Sequence, residues 1–214
     1  MDKARIVKLD TEVVEAMTNI VEVDTDGVLA NMDGSYGKYI RHIIPDFTEE
    51  KYIRGWGMPD VQKNYPEAFE IVKTLWVNPQ FLKELPRYNG VEEGMRIIAQ
   101  IPTFDVVVHT HILEEGKASK SRERWLKQLR KDSGVDFDID ICTGETKKTL
   151  DNPYVTIEDN IKNLNRSKAK IKFLIRRAHN RDFTVADIVN CEKAFVVNSF
   201  YDAAVILQEL FVTT

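Results

Sequence analysis

The chain has little cysteine. Cys142 and Cys191 are its two thiols among 214 residues. Two are too few for a disulfide framework, and the pattern fits a reducing, cytoplasmic compartment. Long apolar runs are also missing. Nothing approaches the ~18 consecutive apolar residues of a membrane span, and the N-terminus carries no secretory h-region. A membrane partner is therefore not expected. Positive charge is not in excess: Lys and Arg number 30 against 34 Asp and Glu, a formal net charge of −4. With no long basic run, the chain is not expected to bind polymeric nucleic acid by neutralising phosphates. A single nucleotide is still open as a substrate. There is no internal repeat and no low-complexity segment. The length suits one domain with an elaboration or a small cap.

What is present is organised around residues 20–32, Ile-Val-Glu-Val-Asp-Thr-Asp-Gly-Val-Leu-Ala-Asn-Met. Ile20, Val21 and Val23 read as a short buried strand. It ends in Asp24-Thr25-Asp26-Gly27. Two carboxylates one residue apart at the end of a central strand are costly unless a positive charge sits beside them. Magnesium suits that need, since it prefers oxygen ligands and often takes only one or two protein carboxylates plus a substrate phosphate. Gly27 supplies the turn such a loop requires. A solvated acidic turn is the plain alternative. An EF-hand would need more oxygen ligands and a Glu at the loop end, where Val28, Leu29 and Ala30 stand instead.

Further strands are expected over residues 104–108, 137–141, 154–157, 171–175 and 194–197, alternating with helices over 91–101, 119–129 and from Phe200 or Tyr201 to Leu210. Ile6, Leu9, Val13, Val14 and Met17 predict an amphipathic leader helix before the first strand. Residues 33–88 read as a mostly helical insertion, with one helix carrying Tyr36, Tyr39, Ile40, Ile43 and Ile44, and another over 67–77. Alternating strands and helices predict a parallel sheet. In such sheets ligands bind beyond the carboxyl ends of the strands. Asp24 and Asp26, then Thr110, then Glu158 and Asp159 each follow an apolar run. Parallel strands would bring all three groups to one rim.

Asp-x-Asp-Gly-Val-Leu-Ala after an apolar strand resembles the first motif of haloacid dehalogenase-like phosphotransferases, and more narrowly the 5′(3′)-deoxyribonucleotidases. The resemblance runs in order over roughly residues 20–210. It implies an α/β fold: a three-layer α/β/α parallel sheet with a small helical cap after the first strand. The core would be residues 1–32 and 89–214, with 1–19 an addition, and the cap residues 33–88. It implies Asp24 as nucleophile, Asp26 as general acid and base, and a metal held by Asp24, the carbonyl of Asp26 and Asp159. Glu158 stands where relatives carry Asp and is a further metal-side candidate. Thr110 matches the phosphate-binding second motif, and His111 follows it. The cation of the third motif falls at Arg122, three residues before Trp125, with Lys120 next and Lys147 or Lys148 as further choices. Trp56, Trp76 and Phe81 are the aromatics that would enclose a base, each of them also a candidate for plain core. Ala178-His179-Asn180-Arg181 resembles a segment near the C-terminus of relatives.

The expected activity is a magnesium-dependent phosphomonoesterase hydrolysing nucleoside or deoxynucleoside monophosphates through an aspartyl-phosphate. The alternatives are the same chemistry on another small phosphate or on a nucleic-acid phosphate end, and a weakly active relative serving as a binding module. The partner is a small nucleotide, and a homodimer is allowed for.

Overall fold

Strand β1 (Asn19–Asp24) carries Val21 and Val23, both with no exposed surface, and hydrogen-bonds to a strand on each side. A β-branched run buried on two faces belongs in the middle of a parallel sheet. The computed structural model describes residues 19–113, 115–143 and 150–212. The expected leader helix lies outside the described residues.

Among the described residues five more strands join it: β2 (Phe104–Ile112), β3 (Asp138–Thr143), β4 (Val155–Glu158), β5 (Ile171–Ile175) and β6 (Lys193–Val197). All are parallel, in the order β3-β2-β1-β4-β5-β6. Chain order therefore reverses direction between β1 and β4. The loops leaving those two strands diverge and open a crevice, the position at which open α/β sheets bind ligands.

Helix α6 (Val91–Ala99) connects β1 to β2, α7 (Lys117–Ser133) connects β2 to β3, α8 (Ile161–Arg166) connects β4 to β5, and α9 (Phe200–Val212) closes the chain. Phe173 faces the main core, while its neighbour Leu174 joins a second cluster with Leu164 and Ile188. The sheet is thus covered on both faces, giving three layers.

Between β1 and α6 lie α1 (Met32–Ile40), α2 (Glu49–Tyr52), α3 (Pro59–Asn64), α4 (Pro66–Trp76) and α5 (Pro79–Glu84). Their entries follow from local chemistry: Asn31, Thr48 and Asn78 cap α1, α2 and α5 with side-chain oxygens, and Pro occupies the first turn of the last three helices. The single helix expected to run from Tyr36 to Ile44 stops at Ile40, with turns beyond it.

Strand β2 runs four residues past its apolar run. His109, Thr110, His111 and Ile112 stay in the ladder because β3 pairs with them up to Thr143. Among the described residues no helix is long and apolar enough to cross a membrane.

Candidate active site

The site begins at the last residue of β1. Asp24 faces His109 in register, so Thr110 lies one step further along the neighbouring strand, while Glu158 ends β4 on the other side. The loop after Asp24 folds back tightly: the amides of Leu29 and Ala30 both donate to the Thr25 carbonyl, and the Gly27 amide donates to Ala30. Gly27 has φ +78°, a left-handed conformation open to glycine at little cost. Space demands glycine too, since a Cβ there would lie 1.7 Å from Asp159 Oδ2.

Asp24, Glu158 and Asp159 meet at this rim. One carboxylate oxygen from each lies within 4.8 Å of the others, and all three residues are buried. The backbone amides of Asp159 and Asn160 donate to Glu158 Oε1, at 3.1 and 3.0 Å, so Glu158 braces its own loop. Asp159 Oδ1 is buried without a hydrogen-bond partner. Burial first, then the charges of Glu158 and Asp24, push the Asp159 carboxyl well above the usual carboxylate range. Three converging carboxylates with an unsatisfied oxygen fit a small hard cation such as magnesium.

That shift has a consequence for stability. With its pKa raised on folding, metal-free Asp159 holds a proton that the unfolded chain has released above about pH 4. Its contribution is therefore favourable at low pH and is lost as pH rises toward the folded-state value. A divalent ion competes with that proton. The melting temperature gained on adding magnesium should be larger near pH ~8 than near pH ~5.5. Differential scanning calorimetry checks this; a gain that is the same at both would show that Asp159 does not release a proton to the ion.

Asp26 is held from the opposite side. Arg122 Nη2 donates to both its oxygens, at 2.7 and 2.9 Å. Arg122 has no exposed surface, and its Nε and Nη1 find no partner. Its guanidinium lies 5.9 Å from the centre of the Trp125 ring, and Trp125 is fixed by donating to the Leu85 carbonyl at 2.7 Å. Arg122 thus orients the second carboxylate as well as lining the cavity. Thr110 is fully buried with an unpartnered hydroxyl.

A cavity of about 400 Å³ opens over these groups. Asp24, Asp26, Arg122, Asp159 and His111 form its floor and wall; Trp56 and Trp76 reach it from the helical insertion. Four candidates do not line it: Thr110 and Glu158, both buried, and Lys120 and Phe81. Lys120 is exposed and does not line the cavity: two helical positions turn it ~200° from Arg122. Phe81 is buried, stacked on Tyr36 at 5.9 Å, and does not line the cavity either. Tyr36 does, and its hydroxyl accepts from Trp76 Nε1 at 2.8 Å. Lys147 and Lys148 lie outside the described residues.

Several further residues line the cavity, and of these the sequence marked only His179, in the segment that resembles one near the C-terminus of relatives. Asp33 and Tyr36 share one face of α1 at a spacing of three, which could have marked them once Asp26 was placed. Lys162 and Arg166 come from α8, and His179 from the turn after β5.

Over residues 18–198 the chain matches the family described as 5′ nucleotidase, deoxy (pyrimidine), cytosolic type C. No individual curated sequence matches it significantly. Among solved structures, a haloacid dehalogenase-like hydrolase from Burkholderia xenovorans superposes with a TM-score of 0.50 at 11% identity, covering 90% of this chain and 98% of that one. A haloacid dehalogenase-type hydrolase from Bacillus subtilis, bound to magnesium, gives 0.48 at 13% identity over 89% and 99%. L-2-haloacid dehalogenase from Xanthobacter autotrophicus gives 0.46 at 12% identity over 90% and 99%. At such identities the Burkholderia match shows a shared fold.

Proposed function

The chain belongs to the cytosolic type C 5′-nucleotidase family, hydrolases of phosphate monoesters on a haloacid dehalogenase-like fold, and from that premise we propose that it hydrolyses nucleoside monophosphates, deoxynucleotides among them, through an aspartyl-phosphate. The observation that carries this is the meeting of Asp24, Glu158 and Asp159 within 4.8 Å, with Asp24 and Asp159 lining a cavity that Asp26 and Arg122 also line.

Asp24 attacks phosphorus. A bond forms between its carboxylate oxygen and phosphorus as the bond to the nucleoside oxygen breaks. Asp26 gives its proton to that leaving oxygen, then takes one from the water that cleaves the acyl phosphate and restores Asp24. The Thr110 hydroxyl donates to a phosphoryl oxygen as charge develops there. Magnesium, held by Asp24, Asp159 and the Asp26 carbonyl with Glu158 behind them, would neutralise phosphate oxygens among the carboxylates. Arg122 keeps Asp26 aimed at the leaving group, and its Nε and Nη1, which have no partner, are free to donate to the phosphate.

Residues 33–88 act as the cap. Trp56, 56% exposed, lines the cavity together with Tyr36 and Trp76 and stacks on the base. Stacking contributes ~1–3 kcal/mol per base, so Trp56→Ala should raise KM about 5- to 150-fold while kcat changes little. An unchanged KM would remove Trp56 from the substrate pocket.

Phosphate release from a panel of 5′ and 3′ nucleoside monophosphates, with magnesium and with EDTA, tests the function. Magnesium-dependent release from mononucleotides is the expected result. No release from any of them, or full release in EDTA, would overturn it.

A further inference from the structure

The turn after β5 touches three of the segments that surround the site. Arg177 donates through Nε to the Gly27 carbonyl and lies 3.9 Å over the Tyr88 ring. Asn180, 1% exposed, donates to the carbonyls of Asp159 and Ile175 at 2.6 and 2.8 Å. His179 places Nε2 at 3.2 Å from the Asp159 carbonyl and 3.4 Å from its Oδ2, and Nδ1 at 3.4 Å from Asp33 Oδ2 on α1. The same ring meets Trp56 edge-on, with centroids 5.2 Å apart at 79°. Arg181 donates through Nη2 to the carbonyls of Glu50 and Ile53, at 2.7 and 3.2 Å, and through Nε to Ala178 at 2.9 Å.

Within five residues, one segment thus grips the first-motif loop, the loop bearing Asp159, and the part of the insertion that carries Trp56. Glu50 lies in α2 and Ile53 directly after it, three residues before Trp56, so Arg181 is bonded to the backbone that leads to that indole. His179 lies between that indole and Asp159, touching both. The His179 side chain is 5% exposed and packs against both groups.

We propose that residues 177–181 form a coupling clamp: His179 and Arg181 are positioning residues through which a nucleoside seated on Trp56 holds Asp159 in place for the metal. By linkage the metal must then favour the nucleoside by the same factor. The inference rests on the proposed function and goes beyond it, since metal and base could each bind there without influencing the other.

The test measures binding rather than turnover. Magnesium affinity is read by isothermal titration calorimetry with and without a deoxynucleoside 5′-phosphonate, the tightest of the four bases being used. In the intact protein the phosphonate should tighten magnesium binding by at least about fivefold, within the usual range of site-to-site coupling. Part of that factor comes from the phosphonate meeting the ion directly, and methylphosphonate, which has no base, measures that part. The clamp is the remainder.

Arg181→Ala removes an exposed side chain and should leave both ligands able to bind, yet bring the nucleoside phosphonate down to the effect of methylphosphonate. Arg181→Lys, which can still donate to a carbonyl, should recover part of the difference. His179→Gln should lower the coupling as well. A coupling factor in Arg181→Ala equal to that of the intact protein would overturn the clamp. So would intact protein in which methylphosphonate does as much as the nucleoside phosphonate. If neither magnesium nor any phosphonate binds the intact protein, the proposed function falls and the clamp with it. If both bind independently, the function stands and the clamp alone is lost.

Discussion

Asp24→Asn is expected to lower phosphate release by ~10⁴- to 10⁶-fold, the usual scale for removing a nucleophile that forms a covalent intermediate. Asparagine is nearly isosteric, so β1 and its register with β2 and β4 should survive. What it lacks is the second anionic oxygen that attacks phosphorus and one of the three charges that converge at the rim. A single-turnover assay with equal protein and nucleotide reads the loss directly. A variant retaining more than a few per cent of the parent rate would remove Asp24 from the role of nucleophile.

Gly27→Ala should be nearly as damaging, for a reason of space rather than charge. The new methyl would occupy the position of Asp159 Oδ2, 1.7 Å away, and Asp159 is fully enclosed. Either the first-motif loop or the Asp159 carboxylate must move. The left-handed backbone at φ +78° adds ~1–2 kcal/mol against any side chain. Magnesium affinity is expected to fall ~10- to 100-fold, as when a group supporting a metal ligand is lost, and kcat by ~10²-fold or more. Calorimetry and steady-state kinetics on the same preparation check both. Equal magnesium affinity in the variant and the parent would mean that Asp159 does not hold the ion.

The two substitutions fail differently. Asp24→Asn should still bind nucleotide in its pocket, while Gly27→Ala should lose metal and phosphate together. Their circular dichroism spectra should match the parent, since neither residue contributes to the main apolar core.

How far the sequence disclosed this can be followed residue by residue. Val21 and Val23 beside Asp24 were legible because a buried β-branched run that stops at a carboxylate leaves few other readings. The arrival of Asp159 and Thr110 at the same rim was legible too. Parallel strands put their carboxyl ends together, and each residue follows an apolar run. The limits of β2 were not, because whether His109 and His111 stay extended depends on how far β3 runs beside them.

Helical spacing placed Trp76 in a helix but left Phe81 beyond its end, and neither reading said which ring faces inward. In a helix as short as α5, burial is decided by the neighbour, and Tyr36 took the place at the cavity while Phe81 filled the core beneath it. The pairing of Arg122 with Asp26 spans 96 residues, and no local pattern records it. Arg122 and Lys120 look alike in the sequence; the helix turns one inward to complete burial and the other out to water. His179 was visible as a polar triplet after β5, but its contacts to Asp33 and Asp159 lie 146 and 20 residues away.

The central claim is that Asp24 receives the phosphoryl group while sharing one divalent ion with Asp159. A crystal structure grown with magnesium and beryllium fluoride, a mimic of a carboxylate-bound phosphoryl group, tests it most directly. The expected result is beryllium bonded to an Asp24 oxygen and one magnesium at ~2.0–2.1 Å from oxygens of both Asp24 and Asp159. Beryllium fluoride seated away from Asp24, or magnesium bound without Asp159, would contradict it.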